Sequence, residues 1–436
     1  MSTRKGTAPD AGVQGPAPLG AVESRAIWIM TLCTALALVG DNTVYAALPA
    51  MHGTLGIGAT QVGLLLSINR LVRPPLNILS GALTSRIDPR WLYRAGLAIG
   101  ACSTVGYGLV RSFWPLLALR GLWGVAWALI AVSAYAMVLD YTGAGNRGRY
   151  AGAYHSLSFF GGAVGALGGG FLADALDFGR ASLLLGALSA AALLPALALR
   201  RPTGDAAPPL PSHPEQPRRP AVRGRPAVRG RLDPRLLLIL SLNLVERLFF
   251  AGVFYGTLGH YLAEALPGGL TLGHTLIGVA SLTGVLLFAR NLLSVLSGPA
   301  LGYLSDRLGE RTRVLMLGEA FGVAGLLALG ASGHPAMVLL AVALTALANG
   351  VVSPMLVAWM GDLTRQGGRG TLVGAYQTMG DVGSGLGPLI AYPLMAALGT
   401  RPVYLICAAL LALTIPAILL ARRAGAATRD RVDART

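Results

Sequence analysis

The sequence predicts an all-α membrane protein whose twelve transmembrane helices form two pseudo-symmetric six-helix bundles. Composition identifies the solvent: hydrophobic residues are 54% of the 436 and charged residues 12%, and mean hydropathy is +0.61, which excludes an ordinary soluble globule. An internal duplication supplies the symmetry. Asp140, Arg147, Gly148, Gly152, Ala153, Tyr154, Gly161 and Gly165 return 222 positions later as Asp362, Arg369, Gly370, Gly374, Ala375, Tyr376, Gly383 and Gly387. At an offset of 221, Gly81, Leu83 and Arg86 return as Gly302, Leu304 and Arg307. A period of half the chain, set among long apolar runs, describes two homologous membrane halves and not a solenoid of short units.

Crossing roughly 30 Å of hydrocarbon takes about 20 mostly apolar residues. Such runs fall near 26–50, 61–84, 92–110, 113–139, 150–173 and 181–200, and again near 235–260, 275–304, 314–332, 336–361, 371–397 and 402–421. They divide the chain into an N-terminal tail (1–25), a first bundle (26–200), an Arg/Pro-rich linker (201–233), a second bundle (234–421) and a C-terminal tail (422–436). Reading the first run as a cleaved leader would leave eleven spans and break the match between halves.

Basic residues fix the expected orientation. With both termini in the cytoplasm, 27 of the 35 Lys and Arg lie on inner segments, three on outer ones (Arg111, Arg180, Arg401) and five within spans, as the positive-inside rule requires. The net charge of +16 is thereby explained by topology, without nucleic acid. The linker reads as a solvated tether, with anionic lipid headgroups as the alternative contact for its arginines. Cys33, Cys102 and Cys407 all fall inside spans without ligand spacing, so neither a disulfide nor a metal site is expected.

In chain order, the first span carries Asp41 within Gly40-Asp41-Asn42-Thr43-Val44-Tyr45-Ala46-Ala47-Leu48-Pro49. The second holds Arg70 and Arg73 and ends in Gly81-Ala82-Leu83-Thr84-Ser85-Arg86-Ile87-Asp88-Pro89-Arg90. Arg120 sits in the fourth, within Leu119-Arg120-Gly121-Leu122-Trp123-Gly124. Counted at about 1.5 Å per residue, Asp41 lies roughly 13 Å and Arg120 roughly 10 Å inside the outer ends of their helices. Ionised groups at such depth are costly unless paired or wet. The two are therefore a candidate proton-exchanging pair or, alternatively, a structural bridge between the first and fourth helices. The fifth span has Gly161, Gly165, Gly169 and Gly170 at close-packing spacing, and His155 there reads as a packing residue.

In the second half, Glu246 and Arg247 lie in the seventh span and Arg290 in the eighth, which ends in Gly302-Tyr303-Leu304-Ser305-Asp306-Arg307-Leu308-Gly309-Glu310-Arg311. Glu319, about 9 Å above Arg313 along the ninth span, is expected to snorkel to the cytoplasmic interface. The eleventh span contains Asp381 and the run Gly383, Gly387, Pro388. At the 221 offset, Asn69-Arg70 is matched by Arg290-Asn291, placing an arginine at equivalent depth in each half. Two such arginines suit a carboxylate or other anion; local neutralisation of Arg290 by Asp381 or Glu246 is the alternative.

These motifs resemble the major facilitator superfamily. The two loops are similar to its G-x-L-(A/S)-D-R-x-G-R-(K/R) signature, with departures at Ser85, Asp88, Pro89 and Glu310. The fifth and eleventh spans resemble its antiporter glycine signature, with Ala166 in place of the first proline. Asp41 and Arg120 sit in segments similar to the D-x-T-x-x-x-x-A-L-P and R-x-x-x-G elements of its drug:proton antiporter branch. The resemblance runs from about Ile27 to Ala421 and implies a monomeric inner-membrane carrier that uses the proton gradient and no cofactor. Its implied activity is export of a small organic molecule, either drug-like or an acidic metabolite such as a metallophore. Gly81, Arg86, Gly302, Asp306, Arg307, Gly161, Gly165, Gly383, Gly387 and Pro388 would serve the conformational change. Arg70, Arg73, Glu246, Arg290 and Asp381 would be candidates for substrate binding. The rival readings are an uptake carrier for an organic anion and, less favoured, a membrane enzyme or sensor. No clustered His/Asp ligands, nucleophile elbow or phosphate loop supports the last.

Overall fold

Helix is the element that satisfies every backbone polar group within lipid, and the computed structural model is almost entirely helical. It describes residues 21–143, 146–200, 234–308, 311–363 and 369–420. The linker 201–233 and the tail 422–436 lie outside the described residues, as do the side chains of Gly302 and Asp306. Helices occupy all twelve expected places. The first half comprises Ala21–Met51, the pair Ala59–Leu71 and Arg73–Thr84, then Pro89–Leu109, Phe113–Tyr141, Arg147–Leu176, and the pair Phe178–Ala191 and Leu193–Leu197. The second comprises Pro234–Glu246 continuing through a π-helical stretch Arg247–Phe254 into Tyr255–Ala265, then Val279–Leu308, Arg311–Ala331, Pro335–Leu363, Arg369–Leu398 and Thr400–Ala412.

Nine of these stretches are long and apolar enough to cross a membrane by composition alone. The second, third and eleventh fall short of that measure: the second is split at Val72 into two short helices, and the third and eleventh carry Arg94 and Asp381 among several glycines. Pro74 and Pro75 lie at the break that splits the second span at Val72, where missing N–H donors interrupt the ladder. The eighth span starts later than its apolar run suggests. Leu270–Leu272 and Thr275–Ile277 form an antiparallel hairpin before it, closed by Gly273 at φ 61°.

Within each half the glycine-bearing helix lies backbone to backbone on the helix that opens the half. A Cβ added to Gly161 would come 2.5 Å from Ala35 Cβ, and one on Gly387 2.5 Å from Gly252 Cα. Gly165 and Gly383 likewise have no room, facing the backbones of Val39 and Leu244. Gly168, on the same helix as Gly165, has nothing within 4 Å. Gly165→Ala should therefore cost about 1–3 kcal/mol through overpacking, read as a lower melting temperature in detergent. Gly168→Ala should leave it unchanged or slightly raised.

Between the halves, the described contacts gather toward the end bearing the 52–58 turn and the hairpin. Gly63 sits under Pro388 O and Tyr392, and Gly170 under Ala280 O. Ser281 N donates to Asp174 Oδ2 at 2.6 Å, so a carboxylate of one half caps the eighth helix of the other. Toward the opposite end the second and eleventh helices part: Ile78 and Leu79 are exposed, and neither Gly81 nor Gly374 has a neighbour within 4 Å of a built Cβ. Among the described residues the halves meet at the hairpin end and part toward the end bearing Gly81 and Gly374.

Candidate functional site

Asp41 and Arg120, 79 residues apart in sequence, meet in the interior of the first bundle. Arg120 Nη1 donates to Asp41 Oδ1 at 2.5 Å, with the arginine fully buried and the aspartate 2% exposed. Asn69 Nδ2 donates to the same oxygen at 3.3 Å. Arg120 Nε donates to Leu65 O at 3.2 Å, and Nη1 also reaches the Tyr107 hydroxyl at 3.4 Å. The guanidinium lies 5.5 Å from the Tyr45 ring centroid and 5.8 Å from that of Tyr107, within cation–π range. The break at Val72 leaves the helix through Asn69 packed on the fourth helix, where Gly124 admits the Asn69 carbonyl.

The arginines of the second span diverge in role. Arg73 donates from Nε to Asn69 O at 3.0 Å and from Nη2 to Asn69 Oδ1 at 2.7 Å. Its Nη1 lies 3.8 Å from Asp381 Oδ1 across the two halves, and Asn77 Nδ2 donates to Asp381 Oδ2 at 3.4 Å. Asp381 is thus the partner of Arg73, which corrects the alternative that it neutralises Arg290. Arg70 Nε donates to the Tyr45 hydroxyl at 3.4 Å.

Tyrosines that sequence reasoning passed over occupy the centre. Tyr45 and Tyr255 meet edge to face at 5.4 Å between ring centroids, one from each half. The Tyr255 hydroxyl donates to Asn42 Oδ1 at 3.2 Å and accepts from Asn291 Nδ2 at 3.5 Å. Arg70 and Arg290 both lie within electrostatic reach of the Tyr255 hydroxyl. The signal was available: Arg25, Ile29, Leu32, Tyr45 and Leu48 return 210 positions later as Arg235, Ile239, Leu242, Tyr255 and Leu258. Equivalent residues of the two opening helices face each other across the pseudo-two-fold axis, as repeat symmetry requires.

The interior of the second bundle is polar but poorly bonded. Glu246 is 1% exposed and lies 3.5 Å from Arg247 Nε, yet neither of its oxygens accepts a hydrogen bond among the described residues. Arg290, 3% exposed, lies 5.2 Å from the Phe254 ring centroid, and its Nε and Nη2 have no acceptor among the described residues. Glu319 is 1% exposed, and among the described residues neither oxygen has a hydrogen-bond donor. It does not snorkel. Its height along the helix is as expected, but its neighbours Gly318 and Gly322 face Val351, Val352, Phe250 and Leu411, which turns the side chain into the bundle.

Of the loop residues, Gly81 and Arg86 are exposed at the end where the halves part, so no close helix approach occurs at Gly81 in this conformation; Arg307 is also exposed. Asp88 caps the third helix by accepting from Arg90 N at 3.0 Å and pairs with the Arg90 side chain. His155 shares a 3.2 Å hydrogen bond with Tyr135. Among the described residues no three His, Cys, Asp or Glu side chains gather as metal ligands.

Two helical bundles related by pseudo-two-fold symmetry, meeting at one end and parting at the other around buried charges, define a membrane carrier of the alternating-access class. The sequence matches the Major Facilitator Superfamily family model over residues 30–289 and again over 248–435, and the chain belongs to that superfamily. It is 32% identical over 173 residues to the puromycin resistance protein pur8 of Streptomyces alboniger, covering 38% of this chain and 33% of that protein. It is 28% identical over 150 residues to the multidrug efflux protein YfmO of Bacillus subtilis strain 168, covering 34% and 38%. The matched region therefore spans about a third of each relative. By structure it resembles a bacterial homologue of the human lysosomal transporter Spinster, inward-facing and unoccupied, with a TM-score of 0.72, 15% identity, and 93% and 98% of the two chains covered. It also resembles the nucleoside transporter NupG, with a TM-score of 0.66, 13% identity, and 91% and 98% covered. These structural likenesses describe fold.

Proposed function

We propose that this carrier exports a small organic molecule in exchange for protons across the inner membrane, with both termini cytoplasmic and the end where the halves part facing the cytoplasm. The buried Asp41–Arg120 pair carries the reading. It is the described intramembrane carboxylate held by the most donors, and it sits one helical turn from Tyr45, where the two halves touch. Protonating Asp41 removes its charge and weakens its hold on Arg120, and the Asn69 side chain that also binds Asp41 is shared with Arg73 and so reaches Asp381 in the other half. A proton on Asp41 thereby loosens a contact between halves. Lipid, substrate and protons are the partners; the proton gradient serves as coupling agent, and a monomer suffices. The relatives named for puromycin resistance and multidrug efflux favour export over uptake. The test compares metabolites in medium and cytosol of cells with and without the protein. Export enriches compounds in the medium, and enrichment in the cytosol would refute it.

One observation favours an acidic substrate over a neutral one: the buried Arg290 has two guanidinium nitrogens without an acceptor, and Arg70 stands on the other side of the Tyr45–Tyr255 contact. A desolvated Arg–carboxylate contact is charge-assisted and directional. Arg70→Gln and Arg290→Gln should each raise the apparent KM of an acidic substrate at least about tenfold, roughly 1.4 kcal/mol, with lysine restoring it in part. Unchanged KM in both glutamine variants would remove the anion reading.

A further inference from the structure

We infer that the second bundle contains its own proton-binding site, Glu319 in the ninth helix, within reach of Glu246. The inference rests on the proposed proton-driven reading only for its use in transport, since occupancy of the site by a proton follows from burial and bonding alone. Glu319 is 1% exposed and neither oxygen meets a donor among the described residues. An ionised carboxylate in such surroundings has lost its water and gained nothing in return, so the group takes up a proton instead.

The neighbours act in the same sense. Glu246 of the seventh helix is within electrostatic reach of Glu319, and two carboxyl groups sharing a buried site do not both ionise readily. Of the two, Glu246 has the cations beside it: Arg247 of its own helix lies 3.5 Å away and Arg290 of the eighth helix also acts on it. Tyr376 of the eleventh helix lies near the same Arg247–Glu246 pair. From the twelfth helix Thr414 stands beside Glu319. Its hydroxyl donates to Leu411 O at 2.6 Å, which leaves it free to accept from a protonated Glu319. The tenth helix from Pro335 to Gly361 and the twelfth from Pro402 to Leu420 carry no charged side chain, and Arg247 and Arg290 act on Glu246; on the ninth helix itself the nearest cation is Arg313, six residues away.

The two bundles therefore hold their acids differently. In the first, Asp41 is an ion pair with Arg120 and Asn69 as donors. In the second, Glu319 and two nitrogens of Arg290 have no hydrogen bond among the described residues. The proton leaves Glu319 for water when a rearrangement of the seventh helix brings the Glu319 carboxylate onto a guanidinium. The π-helical stretch Arg247–Phe254 is where such a shift of register is built in, and Phe250 within it packs directly on Gly322 of the ninth helix.

The test needs neither substrate nor gradient. Infrared spectroscopy of the purified full-length protein reads the stretching band of a protonated buried carboxyl, and its pH titration gives the proton affinity. Wild type should show such a band at neutral pH. It should vanish in Glu319→Gln and persist in Asp41→Asn. In Glu246→Gln, loss of the like charge should lower its titration midpoint by about one pH unit, a tenfold weaker hold on the proton. A wild-type protein without the band, or a band unaffected by Glu319→Gln in folded protein, overturns the proposal. Glu319→Asp, which keeps the acid, should keep the band and so separates protonation from loss of packing. Since Asp41→Asn transport assays judge the proposed antiport separately, either claim can fail while the other stands.

Discussion

Arg120→Leu is expected to destabilise the protein by about 3 kcal/mol or more, because removing one partner of a buried pair strands the other. The leucine would leave Asp41 with Asn69 as its remaining donor, and Leu65 O and the Tyr107 hydroxyl would lose a donor as well. The double change Asp41→Asn with Arg120→Leu should recover a large part of that loss, since it leaves no uncompensated charge. Thermal unfolding of the four proteins in detergent gives the interaction energy. Losses that add within about 0.5 kcal/mol would dissolve the pair as an energetic unit, whatever its geometry.

Asp41→Asn alone should abolish gradient-driven transport while leaving a folded, membrane-inserted carrier that still binds substrate. The asymmetry with Arg120→Leu follows from the bonds. Asparagine retains an oxygen for Arg120 Nη1, and the guanidinium keeps Leu65 O, the Tyr107 hydroxyl and two aromatic faces. What is lost is the ability to take up and release a proton. Efflux assays and equilibrium binding on the same preparation separate the two effects. Active efflux at the wild-type rate would show that the proton is carried elsewhere, with Glu319 the next place to look.

Much of this was legible in the sequence because membrane folding reduces to a few strong constraints. Apolar length located the helices, and the 221 and 222 offsets imposed two equivalent halves. Depth along a helix axis is a count of residues, so Asp41 and Arg120 could be paired without coordinates. Azimuth is not a count. Glu319 has the expected height but points inward, because Gly318 and Gly322 let the tenth and seventh helices close over it. The Arg73–Asp381 contact joins the two halves, so no pattern within either half specifies it. The π-helical stretch is a hydrogen-bond register and leaves the apolar pattern intact. The hairpin's second strand, Thr275–Ile277, simply extended the apolar run of the eighth helix. Tyr45 and Tyr255 were missed for want of one more offset, since the opening helices repeat at 210 and not 222.

The most direct test follows proton movement together with transport. The compound found by comparing medium and cytosol is added to everted membrane vesicles holding a pH gradient, and internal pH and compound uptake are recorded together. Antiport predicts that compound enters as protons leave, in fixed proportion, with wild-type protein, and that neither moves against its gradient with Asp41→Asn. Accumulation of the compound with no accompanying proton flux, or proton flux undiminished in Asp41→Asn, would contradict the assignment of Asp41 as the group that exchanges a proton for the substrate.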